Sequence, residues 1–256
     1  MFMILKTYSR INFLKNNFLL DYLFKFYSYF STKFESLFFK KKKIQTELLS
    51  NGFKFYSNKI NLNIKKYEIT KVISNKYLSK YIFYENDIKE IIYDFFVKNN
   101  VSKLITAETG FEYSIDFITA YETKGISKKD LEFKWYANHW HKDKPFSKNT
   151  LKIILPLDEI LENHGGIQIK QSENDLNFYK MTGKKEDFLV FFPNRCFHKA
   201  GNPKDNYVRK QLMFQLNPSN KWKLNSKVFL RQRNLEPKFP IFTYIFDKKV
   251  ELEELI

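Results

Sequence analysis

Six of the seven glycines lie between Gly110 and Gly201, and the runs between them are short and strand-like: "EYSIDFITAYE", "TLKIILPL", "GGIQIK", "DFLVFFP" and "YVRKQLMFQL". Branched and aromatic residues in stretches this brief, bounded by turn formers, suit strands and are too short for helices. Upstream, "ENDIKEIIYDFFVKNN" (Glu85 to Asn100) reads as a helix, with Asn86 or Asp87 to cap it and Ile88, Ile91, Ile92, Phe95 and Phe96 on one face. Residues 44–84 read as helix fragments and irregular connections. A helix followed by five or more strands predicts a mainly β fold with a helical layer, an antiparallel sandwich or barrel.

Alternating β and α units are absent, which excludes a doubly wound nucleotide-binding fold. The glycine-rich phosphate loops and the GxSxG elbow are absent too. A length of 256 residues suits one core with extensions. We expect an N-terminal helical extension over 1–60, a β domain with its supporting helix over 61–220 and a C-terminal extension over 221–256. Cys196 is the single cysteine, so there is no internal disulfide and no CxxC pair, which fits a reducing, cytoplasmic setting. The net charge of +16 accompanies a composition rich in Lys, Asn, Ile and Phe, and by itself does not make nucleic acid the expected partner.

The first forty-three residues hold nine Lys or Arg against two acids, a net of +7. Within them, Phe18, Tyr22, Phe26, Phe30, Phe34 and Phe38 recur at helical spacing, flanked by Leu19, Leu23, Tyr27 and Leu37. Lys15, Asp21, Lys25, Lys33 and Glu35 interrupt every stretch long enough to cross a bilayer. Two surfaces suit such a helix. We expect its aromatic stripe to pack on the main domain; the other reading is peripheral contact of residues 11–43 with an anionic membrane, Lys40 to Lys43 acting as tether. On that second reading the β domain would be a non-catalytic module docked to a membrane or nucleic acid.

The chemistry centres on "NHWHKDKPF" (Asn138 to Phe146), which holds two of the chain's four histidines. On a strand, His141 and Asp143 present an imidazole and a carboxylate on the same face, with Lys142 opposite. His139 lies on that face too, but a third donor from one strand would stretch the triangle. His164 sits in the turn "ENHGG". His198, at the end of the run from Asp187, remains, and His141, Asp143 and His198 make a two-histidine, one-carboxylate set of the kind that holds non-haem Fe(II) with positions open. Eleven residues later, Arg209 shares a strand face with Gln211, Met213 and Gln215, while Val208, Leu212 and Phe214 face the other way. A polar row opposite an apolar row suits a strand between a wet cavity and a core, and a guanidinium there suits the far carboxylate of 2-oxoglutarate.

These segments, "WHKD", "LKIILPLDEILENHGGIQI" and "DFLVFFPNRCFHKAGNPKDNYVR", resemble the phytanoyl-CoA dioxygenase-like branch of the Fe(II)/2-oxoglutarate oxygenases over roughly residues 105–220. The resemblance implies a double-stranded β-helix, a cupin-like jelly roll, with His141, Asp143 and His198 on iron and Arg209 on the cosubstrate. It gives Asp158, Asn163 and Gly165 a structural turn. Ala200 stands where many relatives carry Ser or Thr beside the Arg, and "KQSEND" replaces a common "GSH" turn. Implied with it are O2, succinate and CO2 as co-reactant and products, and hydroxylation of a small acyl, amino-acid or glycan-related substrate. The carboxylate of Asp143 favours hydroxylation, since related halogenases lack that carboxylate and hold chloride there. The basic surface adds an anionic substrate.

Other neighbours carry weaker expectations. Lys152 interrupts an apolar strand and, with Tyr121, is a candidate cosubstrate contact. His139 and Trp140 are expected to support the ligands, Cys196 to be a buried inert thiol, and Gln211 and Gln215 to face the substrate.

Overall fold

The computed structural model describes residues 18–62, 69–74, 76–127, 136–143, 147–228 and 248–255. Residues 1–17, most of the expected C-terminal extension (229–247) and Lys144, Pro145 and Phe146 of the histidine motif lie outside them. Among the described residues twelve strands run in chain order: β1 Phe53–Tyr56, β2 Ile69–Ser74, β3 Leu78–Phe83, β4 Glu112–Lys124, β5 Leu151–Pro156, β6 Gln168–Lys170, β7 Tyr179–Lys180, β8 Phe188–Phe191, β9 Phe197–Lys199, β10 Val208–Ser219, β11 Lys223–Asn225 and β12 Lys249–Glu251. The helices are α1 Phe18–Phe38, α2 Glu47–Asn51, α3 Glu85–Tyr93 and α4 Val101–Thr109.

The strands form two sheets, the jelly-roll arrangement. The major sheet has the order β1-β8-β5-β10-β4-β11-β12, with β3 pairing the other half of β4 and β2 pairing β3. The minor sheet is β7-β6-β9. All five strand-like runs of the sequence become β4, β5, β6, β8 and β10. Where the sequence suggests helix fragments and irregular connections over 44–84, one short helix, α2, stands together with three strands, β1, β2 and β3. The major sheet also crosses both expected domain boundaries, taking β1 from before residue 60 and β11 and β12 from after residue 220. "FKFY" and "KLN" are too short to show a period, and only their sheet partners make them strands.

Alternation along β10 sorts the two faces. Leu212 and Phe214, with their cross-strand neighbours Ala120, Ile118, Ile153 and Leu155, point into a core that also takes Ile88, Ile91, Ile92, Phe95 and Phe96. Phe95 stacks on Phe214 at 5.2 Å, and Phe96 meets the same ring edge-on at 5.0 Å. Each of these fully buried side chains contributes about 1.5–3 kcal/mol. The α3 helix starts after Tyr84 without a side-chain cap, so Asn86 and Asp87 do not cap it; Glu85 and Asp87 instead place negative charge in the first turn, at the positive end of the dipole. It continues as a π turn, Asp94–Lys98, which keeps Phe95 and Phe96 buried.

The opposite face of β10 is lined by Arg209, Gln211, Met213 and Gln215. Their direct partners are Thr123, Tyr121, Thr119 and Phe117 on β4, with Pro156, Ile154 and Lys152 facing the last three from β5. Across-strand partners share a face, so these residues, with Lys80 opposite Tyr121 on β3, form one wall. The turn after β5 closes on the turn after β9: a Cβ on Gly201 would meet the carbonyl oxygens of Gly166 and Gly165 at 2.3 and 2.6 Å, so only glycine lets the two backbones touch. Asn163 accepts a bond from the Lys204 amide at 2.9 Å there, and Asp158 pairs with Lys210 at 3.3 Å.

The α1 helix sits the other way round from expectation. Tyr22, Phe26, Tyr29, Phe30, Phe34, Leu37 and Phe38 are each more than half exposed. Its polar face meets the domain: the Lys148 amide donates to Thr32 Oγ1 at 2.8 Å, and Glu35 accepts from Ser147 Oγ at 2.5 Å and from Asn149 Nδ2 at 3.2 Å. The reason is the surface beneath, a polar "SKN" loop whose donors suit Thr32 and Glu35, with Asn194 donating to Ser28, rather than rings.

Burial pushes the Glu35 carboxyl up from 4.5 to about 7, against the hydrogen bonds of Ser147 and Asn149. A carboxyl raised in the folded state favours its protonated form, so seating of α1 is strongest below pH 4.5 and weakens as pH rises through about 7. The linkage amounts to about 3–4 kcal/mol. Hydrogen exchange of α1 amides, corrected for intrinsic rates, should therefore accelerate relative to β10 over that window, and Glu35→Gln should remove the difference. A pH-independent ratio in the wild type would refute this.

Candidate metal centre

The histidine motif contributes not a full strand but a single bridge. His141 pairs antiparallel with His198, the two exchanging backbone bonds of 3.1 and 2.9 Å, which extends the minor sheet by one residue beyond β9. The Asp143 amide then donates to Pro193 O at 2.8 Å, fixing the carboxylate beside the two rings. A two-residue spacing thus brings the His141 and Asp143 side chains together, although no strand runs through Asp143.

His141, Asp143 and His198 each offer one ligand atom, and the three atoms lie within 4.8 Å of one another. Asp143 Oδ1 is 3.6 Å from His141 Nε2 and 3.5 Å from His198 Nε2, and the ring centroids are 4.3 Å apart. All three residues are buried. His141 Nδ1 lies 2.7 Å from the carbonyl of His139, and His198 Nδ1 lies 3.3 Å from that of Cys196. A carbonyl can only accept, so these contacts assign the ring proton to Nδ1 and turn each Nε2 lone pair toward Asp143.

Charge is arranged to match. Burial alone would raise the Asp143 carboxyl, but the Lys152 ammonium beside it holds it well below the usual carboxylate range. For His198 burial is the larger effect and lowers its pKa, despite the pull of Asp143. An ionised carboxylate beside a neutral imidazole is the state a divalent cation needs. Two nitrogens and one carboxylate oxygen on one side, none of them a thiolate, fit Fe(II) with open positions.

Lys152 faces this site rather than solvent, its ammonium in a salt bridge with Asp143 Oδ2. Arg209 lies on the same wall, 2 % exposed. Its Nη1 donates to Gly201 O at 2.8 Å and its Nη2 to Thr123 Oγ1 at 3.4 Å, while Nε has no partner. Among the described residues no carboxylate forms an ion pair with it. A buried guanidinium in that condition is costly unless an anion completes it, so the orphaned Nε fits the carboxylate of an oxoacid. Thr123 places a hydroxyl on the Arg although Ala200 cannot.

Tyr121 accepts a hydrogen bond from Gln211 Nε2 on the same wall. Thr119 Oγ1, Gln211 Oε1 and both amide atoms of Gln215 are buried without partners, the mark of a wall that faces water or a polar ligand. Lys80 and Thr123 are wall residues that the sequence reading missed. Lys80 is 4 % exposed and burial pushes its ammonium down to about 8; its signal was a lone lysine inside the apolar run "YLSKYIF".

The remaining residues stand apart from the ligand set. Trp140 points toward Phe178, at 5.6 Å, with the Lys170 and Lys199 ammoniums each 4.8 Å from its ring. Cys196 packs with Ile154, Ile169 and Phe191, and burial pushes its thiol up to about 11, an inert state. His164 Nδ1 accepts from the Leu161 amide at 3.0 Å within its turn. An open recess of about 440 Å³ lies under the segment after β6, walled by Phe53, Ile169, Phe178 and Tyr179 among others; Ile169 is the cross-strand partner of His198.

No protein-family model matches the chain, and no curated protein does so either. Among solved structures it is similar to the non-haem α-ketoglutarate-dependent epimerase SnoN from nogalamycin biosynthesis, at 10 % identity and TM-score 0.48, over 66 % of this chain and 79 % of that one. It is similar to HygX from Streptomyces hygroscopicus with nickel and 2-oxoglutarate bound, at 9 % identity and TM-score 0.47, over 70 % and 89 % of the two chains. A third is the carbocyclase SnoK, also from nogalamycin biosynthesis, at 10 % identity and TM-score 0.44, over 69 % and 85 %.

Proposed function

We propose that this chain is an Fe(II)- and 2-oxoglutarate-dependent oxygenase, of the phytanoyl-CoA dioxygenase-like branch that its motifs resemble, hydroxylating a small anionic organic substrate. The observation that carries the reading is the buried His141, Asp143 and His198 set, three donor atoms within 4.8 Å, sharing a wall with a buried Arg209 that no carboxylate among the described residues pairs. When bound, the metal and oxoacid supply the coupling of O2 to C–H oxidation, with release of succinate and CO2.

The chain's own residues do the rest. The two Nδ1 bonds hold the imidazoles with their lone pairs inward, and Lys152 keeps Asp143 ionised. Arg209, steadied by Gly201 and Thr123, holds the cosubstrate carboxylate, while Tyr121, Gln211 and Lys80 complete that wall. Asp143 keeps its carboxylate where related halogenases hold chloride, which supports hydroxylation. The recess beside Ile169 is the candidate substrate entry, and the Lys142 and Lys199 ammoniums, over Phe197 and Trp140 respectively, support an acidic substrate such as an acyl, amino-acid or glycan-related molecule.

Anaerobic titration of the purified apoprotein with Fe(II) and then 2-oxoglutarate tests the reading. A visible charge-transfer band should grow to one equivalent of each. Tight metal binding without the band on adding 2-oxoglutarate would leave a metal protein of another kind.

A further inference from the structure

The α1 helix turns its apolar side outward, and what covers it can be argued from its surroundings. Over 22–38 the exposed arc carries Tyr22, Leu23, Phe26, Tyr29, Phe30, Phe34, Leu37 and Phe38. The single acid of that stretch, Glu35, lies on the opposite face against Ser147 and Asn149. Solvent-exposed Lys25 and Lys33 lie on or beside the arc, and Lys41, Lys42 and Lys43 follow its end, also exposed. The apolar strip is about 25 Å long at 1.5 Å per residue, more than an isolated surface ring or two, and contiguous patches of that kind mark contact sites.

No helix among the described residues is long and apolar enough to cross a membrane. An amphipathic helix with a basic margin instead lies in the interface plane, rings among the acyl chains and ammoniums among the headgroups. We infer that α1 docks this chain onto an anionic lipid surface through Phe26, Phe30, Phe34 and Leu37, with Lys25, Lys33, Lys42 and Lys43 on the headgroups. A second copy of the chain suits the strip less, because its lysines would meet lysines across a two-fold interface. The polar face of α1 is meanwhile bonded to the domain, so the rings face outward without any rearrangement. Those bonds fall on Ser147 and Asn149, a few residues after Asp143, and on Asn194, four before His198. Docking therefore holds the segments that carry the candidate ligands about one helix diameter, ~10 Å, behind the lipid surface.

Co-sedimentation of the full chain with phosphatidylcholine vesicles, with and without phosphatidylglycerol, tests the inference without any activity readout. Binding should require the anionic lipid and weaken in high salt. In the triple variant Phe30→Ser, Phe34→Ser, Leu37→Ser, the partition coefficient should fall at least about a hundredfold, while the melting transition stays unchanged because these side chains bury little in the fold. Lys42→Glu with Lys43→Glu should weaken binding with the rings intact. Wild type that ignores vesicles, or a triple variant that binds as before, overturns the inference. So does a triple variant that no longer folds, which would place the rings against the chain, or a wild-type dimer that the variant dissociates, which would assign the strip to a second copy.

Discussion

Asp143→Ala is expected to abolish tight Fe(II) binding, weakening it by at least about a hundredfold, since the loss of a direct ligand exceeds the 10–100-fold typical of outer-shell changes. It also strands Lys152. Side chains of that pair are 13 % and 6 % exposed, and breaking a buried ion pair from one side costs about 3–5 kcal/mol. The variant should therefore melt lower as well as bind metal poorly, and the two losses can be separated. Asp143→Ala with Lys152→Met removes the stranded charge, so its melting temperature should recover most of the difference while metal binding stays lost. Isothermal titration with Fe(II) under argon and a thermal melt of both variants supply the comparison. Equal metal affinity in wild type and Asp143→Ala would mean that the three side chains form a satisfied polar cluster and nothing more.

Arg209→Met should leave Fe(II) binding intact and weaken 2-oxoglutarate. Truncating one partner of a buried, hydrogen-bonded charge pair costs about 2–5 kcal/mol, roughly thirtyfold to several thousandfold in affinity. The readout is the 2-oxoglutarate dependence of the charge-transfer band at saturating Fe(II). Methionine keeps the bulk of the side chain and removes a buried charge, so stability should hold or rise, which keeps a folding defect from imitating a binding defect. If the band saturates at the same 2-oxoglutarate concentration in both proteins, the oxoacid is held elsewhere, and Lys80 becomes the next cation to test.

The pairing of His141 with Asp143 and the shared face of Arg209 and Gln211 were readable in the sequence because each depends on local spacing, whereas His198 was reached by setting the other histidines aside. Two residues separate His141 from Asp143, and two-residue alternation put Arg209 and Gln211 on one face. The strand-like runs behaved in the same way. The unreadable parts depend on partners far away in the chain. Lys80 and Thr123 reach the wall only through the pairing of β3 with β4 and of β4 with β10. "FKFY" is a strand only because β8 lies beside it. For α1, periodicity found the apolar stripe correctly, but which way it turned was decided by a loop more than a hundred residues on, where Ser147 and Asn149 offered donors to Glu35. A hydrophobic stripe shows that some surface is wanted, not which one.

The bridge between His141 and His198 has a consequence for which ions the site can hold. Residues that exchange both backbone bonds across antiparallel strands sit about 5.5 Å apart at their Cα atoms, so sheet spacing fixes the backbone anchors of the two imidazoles. Asp143 is tied by one backbone bond to Pro193 and by a flexible lysine. In a metal centre held by these three residues, differences in ionic radius would be taken up by rotation of the carboxylate, with the two rings as a fixed jaw against one movable one.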